Sequence, residues 1–381
     1  MGHIRKQGKN SWQVIVSKGK NPVTGKYEQI YETVRGTKTK AKERMHELEH
    51  KVANGTYVEP SKMTFAELCG KWFQDYAKTN LAESTQEYYD IIINTHLSPI
   101  LGKMKIADLQ PMHIQDYIRK KLTDGRKDNK EGGLSQKSVR RHYKVINQVL
   151  KYAVKLQVLE NNPAKHVDPP APNDPEIKAL TQEQLEKILD AAEGWLHDFI
   201  YIAAMTGVRR GELLGLRWQD VDLEGETIQI RQTAIKLKGG RLEFTKPKTN
   251  SSVRLITIDD DVISILKKRR KAQKENKLKL AGEYNNEHNL VFTKANGEPF
   301  NPRYVTRSFK KIAREVGLGQ FRLHDLRHTH ATLMLKAGVH PKVVQERLGH
   351  SSIRQTLDTY SHITPNMQRE AVEKLKNSME K

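Results

Sequence analysis

Six residues in the C-terminal half of the chain carry groups suited to work on a phosphodiester, and they stand in four short segments. Arg209 lies in TGVRRGELLGLRW, just after a Thr-Gly break and before a new helical turn. A guanidinium placed there can fork onto two phosphate oxygens, and Glu212, three residues on, is positioned to hold it. Lys248 lies in KPKTNSSVR, at a turn ahead of the strand VRLITI. An ammonium becomes more acidic when desolvated or close to other cations, so beside two arginines it is a candidate general acid. The segment LHDLRHTHATLML holds His324 and Arg327, one helical turn apart and therefore on one face. ERLGHSSIRQTLDTYSHI holds His350 and, ten residues later, Tyr360; Ser351 or Ser352 can start a short helix that ends near Tyr360 and presents its phenol.

Taken singly, each group has a plain structural reading: a salt-bridged surface arginine, an exposed hairpin lysine, a packing histidine, a core tyrosine. Taken in this order, two arginines, a lysine, two histidines and a tyrosine form a set for phosphoryl transfer. Other chemistries fit less well. His324 and His328 stand at zincin spacing, but the residue after His324 is Asp325 rather than Glu, and Arg327 would sit beside the dication. His328 and His330 are therefore read as packing or backbone-bonding residues. The chain has neither the carboxylate cluster of a two-metal nuclease nor a G-x-x-x-x-G-K-[ST] loop. Its one cysteine, Cys69, sits among apolar residues at helical spacing, which points to core packing and excludes a disulfide framework or a cysteine zinc site within the chain.

The elements that must position these groups belong to a basic protein of 381 residues, with a formal net charge of +21. Such an excess favours a polyanionic partner through counterion release. No run of about 18 apolar residues suggests a membrane span. The opening residues MGHIRKQGKN have no apolar stretch after their charges and no Ser or Thr at the sixth position, so neither a secretory signal nor myristoylation is expected. A cytoplasmic, nucleoid-associated protein without a cofactor is the expectation.

Three regions emerge. Residues 1–60 read as a small sheet plus one helix: SWQVIVSKG and KYEQIYETV as strands, then TKAKERMHELEHKVANG as a helix closed by Asn54-Gly55. Lys6, Lys9, Lys18, Lys20 and Lys26 lie in or near these strands, which reads either as a solvated charged surface or as a sheet that docks into a DNA groove. Residues 61–163 read as all-helical, with Thr64–Glu67 and Ser84–Glu87 as capping boxes. Here Val139, Ile146, Val149, Leu150 and Ala153 form an apolar stripe, with Arg140, Arg141, Lys144, Lys151 and Lys155 largely outside it. A proline-rich linker is expected over 164–176. Residues 177–381 then begin with a helix capped by Thr181 and Gln184, pass through a β section and return to helix. The fold class is thus multidomain and mainly α, with a third domain that is α+β and carries a small antiparallel sheet.

The segments TGVRRGEL, KPKTNSSVR, HDLRH and LGH, followed by Tyr360, resemble the tyrosine recombinase (phage integrase) family, over Ile177 to about His362. By that resemblance the three regions are an arm-type DNA-binding domain, a core-binding domain and a catalytic domain, as in three-domain integrases of phages and integrative conjugative elements. It further implies that Arg209 and Arg327 clamp the scissile phosphate and that Lys248 protonates the leaving 5′ oxygen. His324 assists proton transfer at the phenol, His350 hydrogen-bonds the phosphate, and Tyr360 attacks to give a 3′-phosphotyrosine. The expected partners are double-stranded attachment sites, three further protomers in a tetramer, an excision or directionality factor and a host DNA-bending protein. The tail TPNMQREAVEKLKNSMEK has the pattern of a short amphipathic helix that packs on a neighbour or on its own domain. A type IB topoisomerase shares the chemistry, and a non-enzymatic DNA-binding regulator shares the charge. The two accessory regions before the linker favour recombination over relaxation, and the regulator leaves the six groups without a use.

Overall fold

The structure is a computed structural model that describes residues 2–22, 24–128, 130–171, 178–247 and 252–360, together with Val372, Lys376 and Met379. Lys248 and all but those three positions of the C-terminal tail lie outside the described residues. The chain divides into two compact units, Met1–Asp174 and Pro175–Lys381. No helix among the described residues is long and apolar enough to cross a membrane.

The first unit opens with an antiparallel sheet of β1 (Gly2–Gly8), β2 (Ser11–Lys20) and β3 (Tyr27–Arg35), with β2 in the middle. The third strand of this sheet, β1, is an addition to the two read from sequence. Its single apolar residue, Ile4, gives no alternation, and it is specified by pairing with β2 rather than by its own pattern. Helix α1 (Lys38–Ala53) starts on Thr37, whose side chain accepts from the Lys40 amide, and ends at Asn54 before the left-handed Gly55. Val14, Val16 and Ile30 meet Ala41 and Leu48 of α1 in a small core. On the other face of the sheet Tyr27 and Tyr31 are exposed, and Lys20 lies over the Tyr27 ring at 5.5 Å.

The rest of the first unit is helical: α2 (Phe65–Trp72), α3 (Lys78–Asn80), α4 (Glu83–Ile91), α5 (Ser98–Leu101), α6 (Pro111–Thr123) and α7 (Gln136–Lys155). The Thr64–Glu67 capping box forms as expected. Ser84 does not cap a helix: α4 begins at Glu83 after Ala82, where Gln86 donates back to the carbonyls of Leu81 and Lys78 and ties the helix to the preceding turn. All five apolar stripe residues of α7 are fully buried, and they meet Trp72, Ile93, Leu97 and Tyr117 in one core. Cys69 is in that core, and burial pushes its thiol up to about 12, so it is inert packing. Packing runs past Asn162 into the stretch read as linker. Pro163–His166 forms a short 3₁₀ turn whose Ala164 is buried, Val167 joins the core, and Arg140 donates to the Pro170 carbonyl.

In the second unit α8 (Gln182–Ala191) begins with the Thr181–Gln184 box, and α9 (Gly194–Thr206) runs through the core with Phe199, Ile200 and Ile202 fully buried. Burying one such side chain contributes roughly 2–3 kcal/mol. After α10 (Arg210–Leu214) come β4 (Val221–Asp222), β5 (Thr227–Ile230), β6 (Thr233–Lys236), β7 (Leu242–Thr245) and β8 (Arg254–Thr257). These make two small antiparallel sheets, β4-β5-β8 and β6-β7, because the run ETIQIRQTAIK breaks at Arg231-Gln232. Helices α11 (Asp260–Leu280), α12 (Pro302–Glu315), α13 (Asp325–Lys336), α14 (Pro341–Leu348) and α15 (Ile353–Tyr360) complete the unit.

Candidate active site

Two left-handed glycines end two helices and place the site. Helix α9 stops at Gly207, with φ 65°, and α14 stops at Gly349, with φ 66°. Glycine takes this conformation without a Cβ clash. At Gly207 a Cβ would also stand 2.6 Å from the His330 ring and 2.7 Å from Leu348, so the turn is packed against both α13 and the end of α14. Arg209 follows the first glycine and His350 the second.

Arg327 joins these two turns. It is buried on α13, and its guanidinium donates to the Gly207 carbonyl at 2.8 Å and to the Leu348 carbonyl at 2.6 Å. Both acceptors are at helix C-termini, where carbonyls and the helix dipole favour a cation. One guanidinium plane thus fixes the turn before Arg209 and the turn before His350, from residues 120 and 21 positions away.

Arg209 is held by Glu212 in two ways. The carboxylate accepts from the Arg209 backbone amide at 2.9 Å and from its guanidinium at 2.7 Å, which leaves that side chain 38% exposed at the site surface. Glu212 is itself buried and accepts at 2.9 Å from Arg254, which in turn donates to the carbonyls of Arg347 and Ser252. Burial raises the Glu212 carboxyl, but Arg254 and Arg209 outweigh it and hold the group below the usual carboxylate range. His350 is buried, with its Nδ1 2.9 Å from the Thr356 hydroxyl on α15, which links the histidine turn to the helix that ends at Tyr360.

Residues 178–367 match the phage integrase family, and residues 64–122 match the phage integrase N-terminal SAM-like domain. A XerC-like tyrosine recombinase of Caldanaerobacter subterraneus subsp. tengcongensis is 31% identical, over 97% of this chain and 97% of its own length.

The chain belongs to the phage integrase family of tyrosine recombinases.

As a member it is a DNA-cleaving and rejoining enzyme of site-specific recombination and integration. The ICEBs1 integrase of Bacillus subtilis is 29% identical over 98% of both chains. The solved Tn1549 transposon integrase, in complex with a circular intermediate DNA, shares the fold with a TM-score of 0.68 at 24% identity, over 82% of this chain and 99% of that one.

In this integrase burial, and after it the cationic surroundings, keep the site histidines neutral. Burial first, and then Arg327 and Arg209, lower His350 to about 3. His324, the residue before α13, is lowered to about 4 by desolvation and then by His328 and Arg327. Its ring meets His328 edge-on at 5.1 Å. His330 is structural: it lies 2.8 Å from the Ala204 carbonyl through Nδ1 and accepts from Arg347 through Nε2, and burial lowers it to about 3.

A pH dependence follows. Folded values below the unfolded 6.5 mean that the unfolded chain binds more protons, so stability is complete above about pH 6.5 and declines as pH falls towards the folded values. The slope is about 1.4 kcal/mol per pH unit for each fully buried histidine. With His330 and His350 acting together, urea midpoints of the integrase are expected to fall steeply between pH 6.5 and pH 4. A midpoint that stays flat over that range would show that neither ring is held neutral.

Of the groups expected from sequence, Arg209, Arg327 and His350 converge on the Gly207 and Gly349 turns, and His324 lies close enough to Arg327 and Arg209 to feel their charge. Tyr360 is the last residue of α15, and its side chain, like Lys248, lies outside the described residues. Arg254 and Arg347 were not singled out. In VRLITI the apolar Val253 and Leu255 face outwards and Arg254 shares the buried face with Ile256, the reverse of what hydrophobicity suggests. The available signal was period 2 itself, which places Arg254 and Ile256 on one side.

Proposed function

We propose that this integrase cleaves and rejoins its attachment sites through a covalent bond to Tyr360, with Arg209 and Arg327 holding the scissile phosphate. The observation that carries the reading is the position of Arg327, whose bonds to Gly207 and Leu348 gather the Arg209 and His350 turns around one cation. The Tyr360 oxygen attacks phosphorus, and the bond from phosphorus to the 5′ oxygen breaks. That oxygen takes its proton from Lys248, and His324, neutral at working pH, receives the phenol proton. His350 hydrogen-bonds a phosphate oxygen. Only about 0.1% of a phenol with an ordinary pKa near 10 is ionised at neutral pH, so a base and an electropositive pocket are both needed. One phosphoester replaces another, and neither ATP nor a metal enters the balance.

The domain roles follow the same reading. Residues 1–60 are the arm-type DNA-binding domain, supported by the bare sheet face that carries Tyr27, Tyr31 and Lys20. Residues 61–163 are the core-binding domain, supported by the SAM-like match and by the basic flank of α7. Residues 164–176 connect to the catalytic domain, 177–381. Two recombining sites need four protomers, and lambda integrase has been solved as a tetramer bound to a Holliday junction. A directionality factor and a host bending protein would set the outcome.

The test is a suicide substrate, a core-site duplex nicked near the cleavage position and incubated in EDTA. A protein–DNA adduct on a denaturing gel is expected with the native chain and none with Tyr360→Phe. An adduct that survives the substitution would move the nucleophile elsewhere.

A further inference from the structure

Helix α11 carries a concentration of positive charge that the phosphate site does not use. Between Lys267 and Lys279 it holds eight lysines and arginines and one acid, Glu275. Arg269 turns inwards with Val262 and Leu266, lies over the Phe292 ring and pairs with Asp198 at 3.4 Å. The other cations, Lys267, Lys268, Arg270, Lys271, Lys274, Lys277 and Lys279, are exposed and make no ion pair with another described residue. At about 100° per residue, Lys267, Lys271 and Lys274 share one face, with Arg270 and Lys277 along its edge. From Lys267 to Lys277 this stripe is about 15 Å long, a length over which duplex DNA presents roughly nine phosphate charges.

Helix α9 measures its separation from the site. The C-terminal end of α9 leads to Gly207, which holds Arg327, while Asp198 and Tyr201 nearer its start bond Arg269 and Asp261 of α11. Nine residues of helix separate Asp198 from Gly207, about 14 Å, and the stripe continues beyond Arg269. It cannot touch the phosphate held at Arg327.

The groups beside the stripe suit a nucleic acid. Arg270 lies over Trp218 at 5.6 Å. A cavity of about 460 Å³ beside it has Trp218, Arg270, Lys274, Lys277 and Asn286 in its lining, with one acid, Glu287. Side-chain amides and lysines make the phosphate and sugar contacts that dominate DNA interfaces. A protein-docking surface would be expected to centre on exposed apolar anchors, and among the described residues of α11 between Lys267 and Lys279 Leu278 is the one large apolar side chain that is exposed.

We propose that the α11 stripe is a docking surface for a second segment of duplex DNA, distinct from the segment engaged at Arg209 and Arg327. The proposal rests on the reading of that site as the phosphate site. The test uses the full chain with Lys267→Gln, Lys271→Gln, Lys274→Gln and Lys277→Gln combined. Native and substituted proteins are first trapped on an unlabelled suicide core-site duplex. A fluorescent duplex of unrelated sequence is then added, and its anisotropy is followed over a range of salt. Adduct formation is expected to be equal, with binding of the second duplex weakened at least about tenfold and its salt slope reduced by roughly three to four in the substituted protein. Equal affinity and equal slope would overturn the proposal. So would a native complex that ignores the duplex but binds a poly-glutamate peptide, which would make the stripe a surface for an acidic polypeptide. If the native protein forms no adduct, the phosphate-site reading fails separately, and the same comparison on the uncleaved complex still decides the question for α11.

Discussion

Arg327→Lys is expected to reduce strand cleavage by roughly a hundredfold or more while leaving DNA binding nearly unchanged, and Arg327→Ala by roughly a thousandfold or more. The native guanidinium spans two carbonyls, those of Gly207 and Leu348. A lysine ammonium keeps the charge but is a point donor and cannot reproduce that fork, so the Arg209 and His350 turns lose their common anchor. Alanine removes the charge as well and leaves two buried carbonyls without a donor, at about 1–3 kcal/mol each. Affinity for the duplex is distributed over many phosphate contacts, whereas charge developing at the reacting phosphate is stabilised locally. Single-turnover cleavage of the suicide substrate, with a gel shift in parallel, separates the two effects. An Arg327→Lys protein that cleaves within about threefold of the native rate would remove Arg327 from the centre of the site.

Glu212→Gln is expected to cost the catalytic domain a large part of its stability. Glu212 and Arg254 form a buried pair at 2.9 Å, with side chains 4% and 6% exposed, and the same carboxylate holds Arg209. Removing one member of a buried pair leaves the other charge uncompensated, at about 3–5 kcal/mol. For a domain of this size that corresponds to a fall in melting temperature of roughly 6–20 °C. Glutamine keeps the shape but offers one oxygen where two arginines need a carboxylate. Arg209 therefore loses its orientation, and cleavage is expected to fall at least about tenfold even well below the melting point. The sign with pH agrees: the Glu212 value is lowered on folding, so its contribution is present above the ordinary carboxylate range and is lost on acidification through the folded value. Thermal melts and cleavage assays on one preparation check both parts. A variant that melts normally would mean that the pair contributes little.

Much of the site was legible because its signals are local. Thr-Gly before Arg209 and Leu-Gly before His350 mark helix ends, and the spacing of His324 and Arg327 puts them on one helical turn. The short helix expected after Ser351-Ser352 is present and carries Tyr360. The Thr64 and Thr181 caps and the α7 stripe follow from side-chain geometry within a turn or two. The misses depended on distant partners. Strand β1 exists because β2 pairs with it, Ser84 lies inside a helix because Gln86 ties the chain back to Leu81, and Ala164 and Val167 are core residues because the α2–α7 bundle leaves room for them.

The amino-acid sequence by itself determined which groups this integrase carries, their order, and the helix ends and turns on which they stand, since propensity, capping and periodicity act over a few residues. Tertiary structure alone decided which carbonyls Arg327 would bind and that Arg254 would face inwards to share Glu212 with Arg209. It also decided the partners of His330, the Ala204 carbonyl and Arg347, where the sequence marked that histidine only as packing or backbone-bonding. Those contacts join residues 17 to 126 positions apart. They are fixed by burial, because a charge or polar group removed from water must find its partner wherever the fold brings one within reach.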